Sequence, residues 1–456
     1  MRAIALLFCV IFSTLHAQQP VGDGVADDTA ALQKLINTGG GVHLARGTYR
    51  LTATLKVDLD KTGFVSFTGD GTPRLLMEGE GPAIHFIGTH EGSADPNTVK
   101  ANVWENQRAP MVEGVEIVGA NDAADGIEAT GTVQLTLRAV VVRECRHAVH
   151  LTKRNRNLII DACHFYHNRG IGVFYDHVDL HQSNIVGSHI SYNGGGGVVS
   201  VGGYVRNLQI GTCDIEANHA RNGGPSANVM LDSTGGSIAE VTITGCTLQH
   251  TNKAPGSANI RILGAGVDPG LERRGLPTAT HEGHVTITGN VFSDVQLNLE
   301  IHDARGVTVT GNTFWEGFQH DVLVTDSTHV VVTGNNFDRN PRYLINGFEG
   351  AEKNGLVFQR CEDCIISENL ISGVWKKRAA LDIENSRRLR VAGNSVLDSD
   401  GAALRLEKVT ASSITGNLLR DDRDEAHRSK EASLRAIDCR DNTMEANQLG
   451  NGREDK

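Results

Sequence analysis

One short phrase recurs down this chain and limits what it can fold into. Val285–Phe292 reads Val-Thr-Ile-Thr-Gly-Asn-Val-Phe, and Val307–Phe314 and Val330–Phe337 repeat it closely. The asparagine returns at Asn290, Asn312, Asn335, Asn369, Asn394 and Asn417. Its spacing, about 22 to 34 residues, is that of a solenoid. Upstream, the same slot reads as Cys145, Cys163, Ser188, Cys213 and Cys246. Apolar and polar residues alternate within each phrase, which marks a strand and not a helix. Asparagine tolerates left-handed backbone angles, as a sharp bend after a strand requires. Stacked in register, its amide can also bond the copies above and below.

A second strand precedes each phrase, as in Gly126–Ala129, Ala148–Leu151, Gly172–Tyr175 and Gly197–Ser200. Its second and fourth residues are mostly apolar and face inward. Each repeat is thus a coil of two longer strands and a short one after the bend. The pattern predicts an all-β, right-handed parallel β-helix of about a dozen coils. A single domain is expected over 18–450, with 451–456 as a tail. A β-propeller would need antiparallel blades of about 40 residues with hairpin turns. A leucine-rich repeat would need a steadier leucine frame.

Composition agrees. The 456 residues include 52 Gly and 10 Pro, and only 5% are aromatic, as suits many short strands and tight turns. The net charge of −11 argues against a nucleic-acid partner, which would call for a basic stripe. Residues 1–17 read as a secretory signal: Arg2, an apolar run from Ile4 to Phe12, and Ala17 before a cut at Gln18. The run is too short to span a bilayer, and nothing later approaches the length required. A secreted or periplasmic monomer, not inserted in a membrane, is expected. Cys9 lies in the signal, leaving seven of the 8 cysteines, so disulfides are not the main staple. Cys145, Cys163, Cys213 and Cys246 read as unpaired core thiols. The pair Cys361 and Cys364 lacks the second pair that a zinc site would show.

The segment Gly22–Gln33, Gly-Asp-Gly-Val-Ala-Asp-Asp-Thr-Ala-Ala-Leu-Gln, resembles the opening of the pectate-lyase-like superfamily. The run from Gly39 to Tyr49 resembles its next strand and turn. That superfamily includes polysaccharide lyases, glycoside hydrolases, uronate epimerases and phage tailspikes, so the resemblance implies the fold and not the reaction. From the residues themselves, Asp27 or Asp28 can cap a short helix to about Asn37, with Leu32, Leu35 and Ile36 on one face. Such a helix would cover the open N-terminal end of the stack.

The resemblance also implies that the first sheet is the floor of a substrate groove. Alternation gives its outward columns. One runs His85, Glu128, His150, Phe174, Val199, Met230, Arg261, Glu300; the other runs Thr130, Thr152, Asp176, Val201, Asp232, Leu263, His302. Asp176 and Asp232 stand two coils apart, about 9–10 Å between backbones. That approaches the roughly 6.5–9.5 Å between the carboxyls of inverting glycosidases. They are the expected acid and base, with Glu300 in reserve and His302 and Arg261 orienting substrate. His150, Phe174, His177 and His181 are the expected substrate-binding residues. Seven of the 19 histidines fall between His147 and His189, where proton transfer near neutral pH would be served.

Insertions near Thr89–Pro110, Arg221–Pro225, Thr251–Ser257 and Gly264–Gly283 are expected to form groove walls. A further column, Arg146, His164, His189 and Asp214, is open to reading as an ion or sugar site or as a structural ladder. Asp382, Glu384, Arg405 and Glu407 read as a solvated face. No cofactor is required and no metal-ligand set is singled out, although the acidic side chains are candidates for Ca²⁺.

The expected function is cleavage of glycosidic bonds in an extracellular polysaccharide, with hydrolysis by a carboxylate pair favoured slightly. The alternatives are a lyase, which needs a base at C5 and a positive group at the uronate carboxylate, and a non-catalytic carbohydrate-binding protein.

Overall fold

The computed structural model describes residues 19–92, 94–220, 226–251, 254–340 and 353–456. The expected signal at 1–17 and the Arg221–Pro225 insertion lie outside them. Among the described residues nearly all strand pairing is parallel, and the exception is a hairpin of Ala265–Val267 with Ala279–His281.

The inward column of the first sheet is unbroken along the stack. Leu55 pairs with Ile84, then Ile127, Val149, Val173, Val198 and Val229 follow. Ile260, Leu299, Val322, Leu356, Leu381, Leu404 and Leu434 continue it. It ends on Arg453, whose strand Arg453–Asp455 pairs with Leu434–Ile437. Residues 453–455 therefore join the last coil instead of trailing from it. The third sheet holds 16 strands, more than the repeat phrase announced. The extra coils lie before His85, where the asparagine signature is absent.

Corners are made by left-handed residues. In the coil that begins at Ile171, positive φ falls at His177, Gln182, Gly187 and Tyr192. A side chain normally resists this region, so neighbouring coils must hold it there. Two ladders of buried amides do so at two of the corners. The left-handed residue there is the one before the ladder position, as at Gly289 and Tyr192, and not the asparagine that was expected to take the bend. In the first, each side-chain amide donates to the next Oδ1 from Asn290 through Asn312, Asn335, Asn369, Asn394 and Asn417 to Asn447, at 2.8–3.0 Å. Cys246 meets this line through its backbone N–H to Asn290, and Cys163, Ser188 and Cys213 occupy the same slot on earlier coils.

Cys145 does not share that slot. It precedes a second ladder at the next corner, donating its N–H to Asn168 Oδ1 at 3.1 Å. That ladder passes through Asn193, Asn218, Asn228, Asn259 and Asn298 to Asp321. The slot aligned with Cys163 on the Cys145 coil is held by Val140, because Val141 is the partner of His164. Sequence offset alone mistook one corner for the other.

The helix Thr29–Asn37 closes the N-terminal end, burying Ala31, Leu32 and Ile36. Asp27 receives the Thr29 N–H at 3.0 Å, while Asp28 receives those of Val21 and Gly22. Inside the third strand Phe292, Phe314 and Phe337 stack face to face, with centroids 4.5 and 4.7 Å apart.

The charged C-terminal face is not solvated as expected. Arg405 donates to Asp382 at 2.9 Å, to Glu384 at 2.8 Å and to Glu407. Its side chain is 9% exposed, so the charges form an interlocked network.

Two tests follow from the packing. Cys145, Cys163, Cys213, Cys246, Cys361 and Cys364 are buried and unpaired, and Cys439 is half-buried and unpaired. Burial pushes the Cys145 and Cys163 thiols up to about 12. Thiol reagents should label at most Cys439 in the native protein, and denaturation without reductant should release seven thiols from the mature chain. Second, Asp321 ends an amide ladder as a fully buried carboxyl, and burial raises its pKa from 3.8 to about 7. The folded chain keeps that proton where the unfolded chain loses it, so its stabilising share is lost as pH rises through about 7. Asp321→Asn should raise the melting temperature by about 5 °C at alkaline pH and by about 2 °C or less in mild acid.

Candidate functional site

The outward columns of the first sheet fall where alternation put them. His85, Glu128, His150, Phe174, Val199, Met230, Arg261 and Glu300 are successive partners. So are Thr130, Thr152, Asp176, Val201, Asp232, Leu263 and His302. Sharing a column does not bring these groups together, however, and they separate into three neighbourhoods.

The first is centred on Asp176. His150 donates from Nε2 to Asp176 Oδ2 at 2.9 Å, and His177 donates from Nδ1 to Oδ1 at 2.8 Å. Burial alone would raise the Asp176 pKa, but the hydrogen bonds from His177 and His150 outweigh it and hold the carboxyl below its ordinary value. His150 lies flat on Phe174, with centroids 5.3 Å apart and planes at 7°. His177 sits at the left-handed corner with its side chain 69% exposed, and its Nδ1 is the nitrogen turned to Asp176. The neighbourhood continues toward the N-terminus: His85 Nε2 lies 3.3 Å from Thr130 Oγ1 and 3.5 Å from Glu128 Oε1. Burial lowers the His85 pKa. Lys56 and Lys153, both exposed, act electrostatically on His85.

His147, which the sequence marked only as one of the clustered histidines, supports this neighbourhood. Its Nδ1 accepts the Ile171 N–H at 3.1 Å, and its ring lies 5.4 Å from His150 and 5.1 Å from Phe174. Its backbone N–H donates to Asp125 Oδ1 at 3.0 Å, and Arg146 clamps the same carboxyl at 2.9 Å. Burial pushes the His147 pKa down to about 4. Asp125 and Arg146 thus brace the floor, and Arg146 is not a member of the third-sheet column expected from sequence. The alignment there is Val141, His164, His189 and Asp214.

The second neighbourhood departs from expectation. Arg261 is 5% exposed and fully engaged: Nε donates to Glu300 at 2.6 Å, Nη1 to the Ser226 carbonyl at 3.1 Å and Nη2 to the Gly256 carbonyl at 2.6 Å. It braces the floor and does not offer a free guanidinium to substrate, and Glu300 is its counter-ion. Val199 is buried, and Met230 and Leu323 pack on Ala227, Ala258 and Leu297. Asp232 accepts the Thr234 N–H at 3.0 Å and sits at a turn. In the third neighbourhood His302 Nδ1 lies 2.8 Å from Thr325 Oγ1, away from Asp176. His181 is on the next sheet round the corner, between Arg156 and Arg206, so it does not line the first-sheet floor.

Two insertions leave the same corner of the coil. Residues 89–110 follow the strand Gly81–Ile87, with Gln107 holding Thr89 and Asp60. The Ala265–His281 hairpin follows Ser257–Leu263, tied by the Val267 N–H to the Gly236 carbonyl at 2.7 Å. They stand along one side of the floor.

A family model described as a right handed beta helix region matches residues 97–248. The chain is a right-handed parallel β-helix protein. A second model, described as periplasmic copper-binding protein (NosD), matches residues 233–432. No curated protein matches the chain. Among solved structures, the β-helix resembles the pre-mature gene product 12 of bacteriophage phi29, with 13% identity and a TM-score of 0.56 over 87% of this chain and 53% of that one. It also resembles tailspike protein 3 of bacteriophage CBA120, with 14% identity and a TM-score of 0.48 over 91% and 59%. A third is the mannuronan C-5 epimerase A-module of Azotobacter vinelandii, with 15% identity and a TM-score of 0.40 over 95% and 97%. The β-helix thus spans between half and six tenths of the two phage proteins. At 13% identity, the likeness to the phi29 protein shows the fold alone. No helix of the described residues is long and apolar enough to cross a membrane.

Buried and half-buried histidines of the β-helix carry a pH signature. Burial lowers His90, His147 and His320 from 6.5 to about 4. Between those values the unfolded chain binds protons that the folded chain refuses, so stability is present above 6.5 and falls as pH drops toward 4. Asp321 acts in the opposite sense, but it is one group against three. Melting temperatures should therefore fall steadily below about pH 6.5. A flat profile from neutrality to about pH 4.5 would show that these rings protonate in place.

Proposed function

We propose that the protein is exported and cleaves an extracellular polysaccharide in the first-sheet groove, by proton abstraction beside Asp176. The observation that carries this reading is the capture of both Asp176 oxygens by His150 and His177. A carboxyl held in this way below its ordinary value is a poor proton donor, whereas hydrolysis needs one protonated carboxyl facing another. The sequence-based pairing of Asp176 with Asp232 is correspondingly weakened. Asp176 instead fixes the His177 ring and favours the imidazolium that forms when it takes a proton, as an orienting carboxylate does for a histidine base.

β-Elimination on a uronic-acid glycan uses this arrangement. His177 removes the C5 proton, the electron pair forms the C4–C5 double bond, and the C4–O glycosidic bond breaks. The departing oxygen takes a proton from the imidazolium. Lys153, on the coil next to His177, offers the positive charge that the uronate carboxylate requires, a role Arg261 cannot fill while buried. Phe174 and His150, stacked on each other, give the floor beside Asp176 an apolar aromatic patch for a sugar. The superfamily resemblance of Gly22–Gln33 supports a polysaccharide as substrate, and the periplasmic description of one matched family supports export.

The test is incubation with neutral, uronic and sulfated glycans, reading both new reducing ends and the ultraviolet absorbance of unsaturated ends. Unsaturated ends should come from uronic glycans alone. Asp176→Asn and His177→Ala should each lower kcat/KM by about 10²–10⁴-fold, and Lys153→Ala should act mainly on KM. Reducing ends without absorbance would return the assignment to hydrolysis. Glycan binding without any product would leave a binding protein.

A further inference from the structure

We propose that the outer face of the third sheet carries a divalent transition-metal site built from His189, Asp214 and Glu216. This face is separate from the first-sheet groove.

The register makes the cluster. His189 and Asp214 are direct partners on adjacent coils, and Glu216 projects two residues further along the Asp214 strand, hence to the same side. One ligand atom from each of the three lies within 4.8 Å of the others. His189 Nε2 is 3.3 Å from Asp214 Oδ2 and 3.6 Å from Glu216 Oε1.

These contacts are not a satisfied hydrogen-bond ladder. His189 Nε2 and Asp214 Oδ1 are both buried atoms without a hydrogen-bond partner. Orphaned polar atoms of this kind are costly, and each calls for an explanation. Here they belong to neighbouring residues of one cluster. The surroundings add negative charge and a second imidazole. His250, at the next corner, places Nε2 3.7 Å from Glu216 Oε2 and Nδ1 3.8 Å from Asp294 Oδ2. Asp214 and Glu216 thus lie side by side with two histidines and no Lys or Arg in these contacts, an arrangement of like charges that a cation between them would relieve.

The donor set selects the ion. Imidazole with carboxylate oxygen suits zinc, copper(II) or nickel, whereas calcium takes oxygen ligands alone. Zinc to histidine or carboxylate bonds of about 2.0–2.2 Å require only slight closure of atoms this near. Glu216 is already oriented by the Tyr192 hydroxyl at 3.2 Å and by Gln249 Nε2 at 3.3 Å, the outer support such ligands generally have. Paired strands on both sides hold the positions rigid. His189, Asp214 and Glu216 precede residues 233–432, so the assignment rests on their own geometry and not on the copper-binding family match.

The experiment is equilibrium dialysis of the metal-stripped mature protein against Zn²⁺, Cu²⁺ or Ca²⁺ alone, with circular dichroism and melting curves recorded alongside. One Zn²⁺ or Cu²⁺ per chain should bind at micromolar concentration and raise the melting temperature, and Ca²⁺ at the same concentration should not. His189→Ala and Glu216→Gln should each weaken binding by about tenfold or more with the dichroism spectrum unchanged. His177→Ala, in the other groove, should leave binding intact. Failure of the protein to retain either transition metal would overturn the site. So would retention that survives both cluster variants, or that His177→Ala abolishes.

Discussion

Everything in this molecule depends on one constraint: each coil must lie in register on the last. The unbroken inward line from Leu55 to Leu434 buries one apolar side chain per coil. A slip of a single residue would turn that line outward and expose every group in it. Burial of a Leu, Ile or Val side chain contributes about 1.5–3 kcal/mol, so a slipped coil is strongly disfavoured. The amide ladders add direction to this. Their hydrogen bonds form only when asparagines of adjacent coils occupy the same corner, and they hold left-handed turns that an isolated strand would abandon.

Fixed register has a chemical consequence. Side chains far apart in sequence are delivered to positions about 4.8 Å apart, with little freedom to separate. Where the delivered groups are complementary the result is structural, as in the Arg405 network and the Arg261–Glu300 pair. Where they are alike or only partly matched, they remain available for chemistry. Asp176 between two histidines is one such place, and the His189, Asp214 and Glu216 cluster is another. The two meet on different sheets of one shared coil, which carries Asp176 and His189, so one stack can present two unrelated surfaces.

Much of the fold was legible because it obeys a period. Two-residue alternation identified which residues of the first sheet point outward, and every adjacent pair in those columns is a partner in the structure. The asparagine phrase located its own corner through Asn417. Errors arose where the period carried no information. Cys145 and Arg146 were placed one corner early, because a cysteine after a short strand resembles a cysteine before one. The first coils went uncounted because their corners use other residues. His181 was grouped with His177, but the left-handed turn at His177 carries the chain onto the next sheet.

By itself the sequence determined the class of structure, the capping helix, the inward and outward columns, and the presence of a histidine-rich central stretch. These depend on local alternation and spacing, which a solenoid preserves in three dimensions. Only the tertiary structure decided which outward groups are free. Arg261 and Phe174 look equally available along the strand, yet carbonyls of Ser226 and Gly256 enclose the first, while the second lies against His150. Loops and neighbouring coils supply those contacts, and their approach is set by packing that no period in the sequence records.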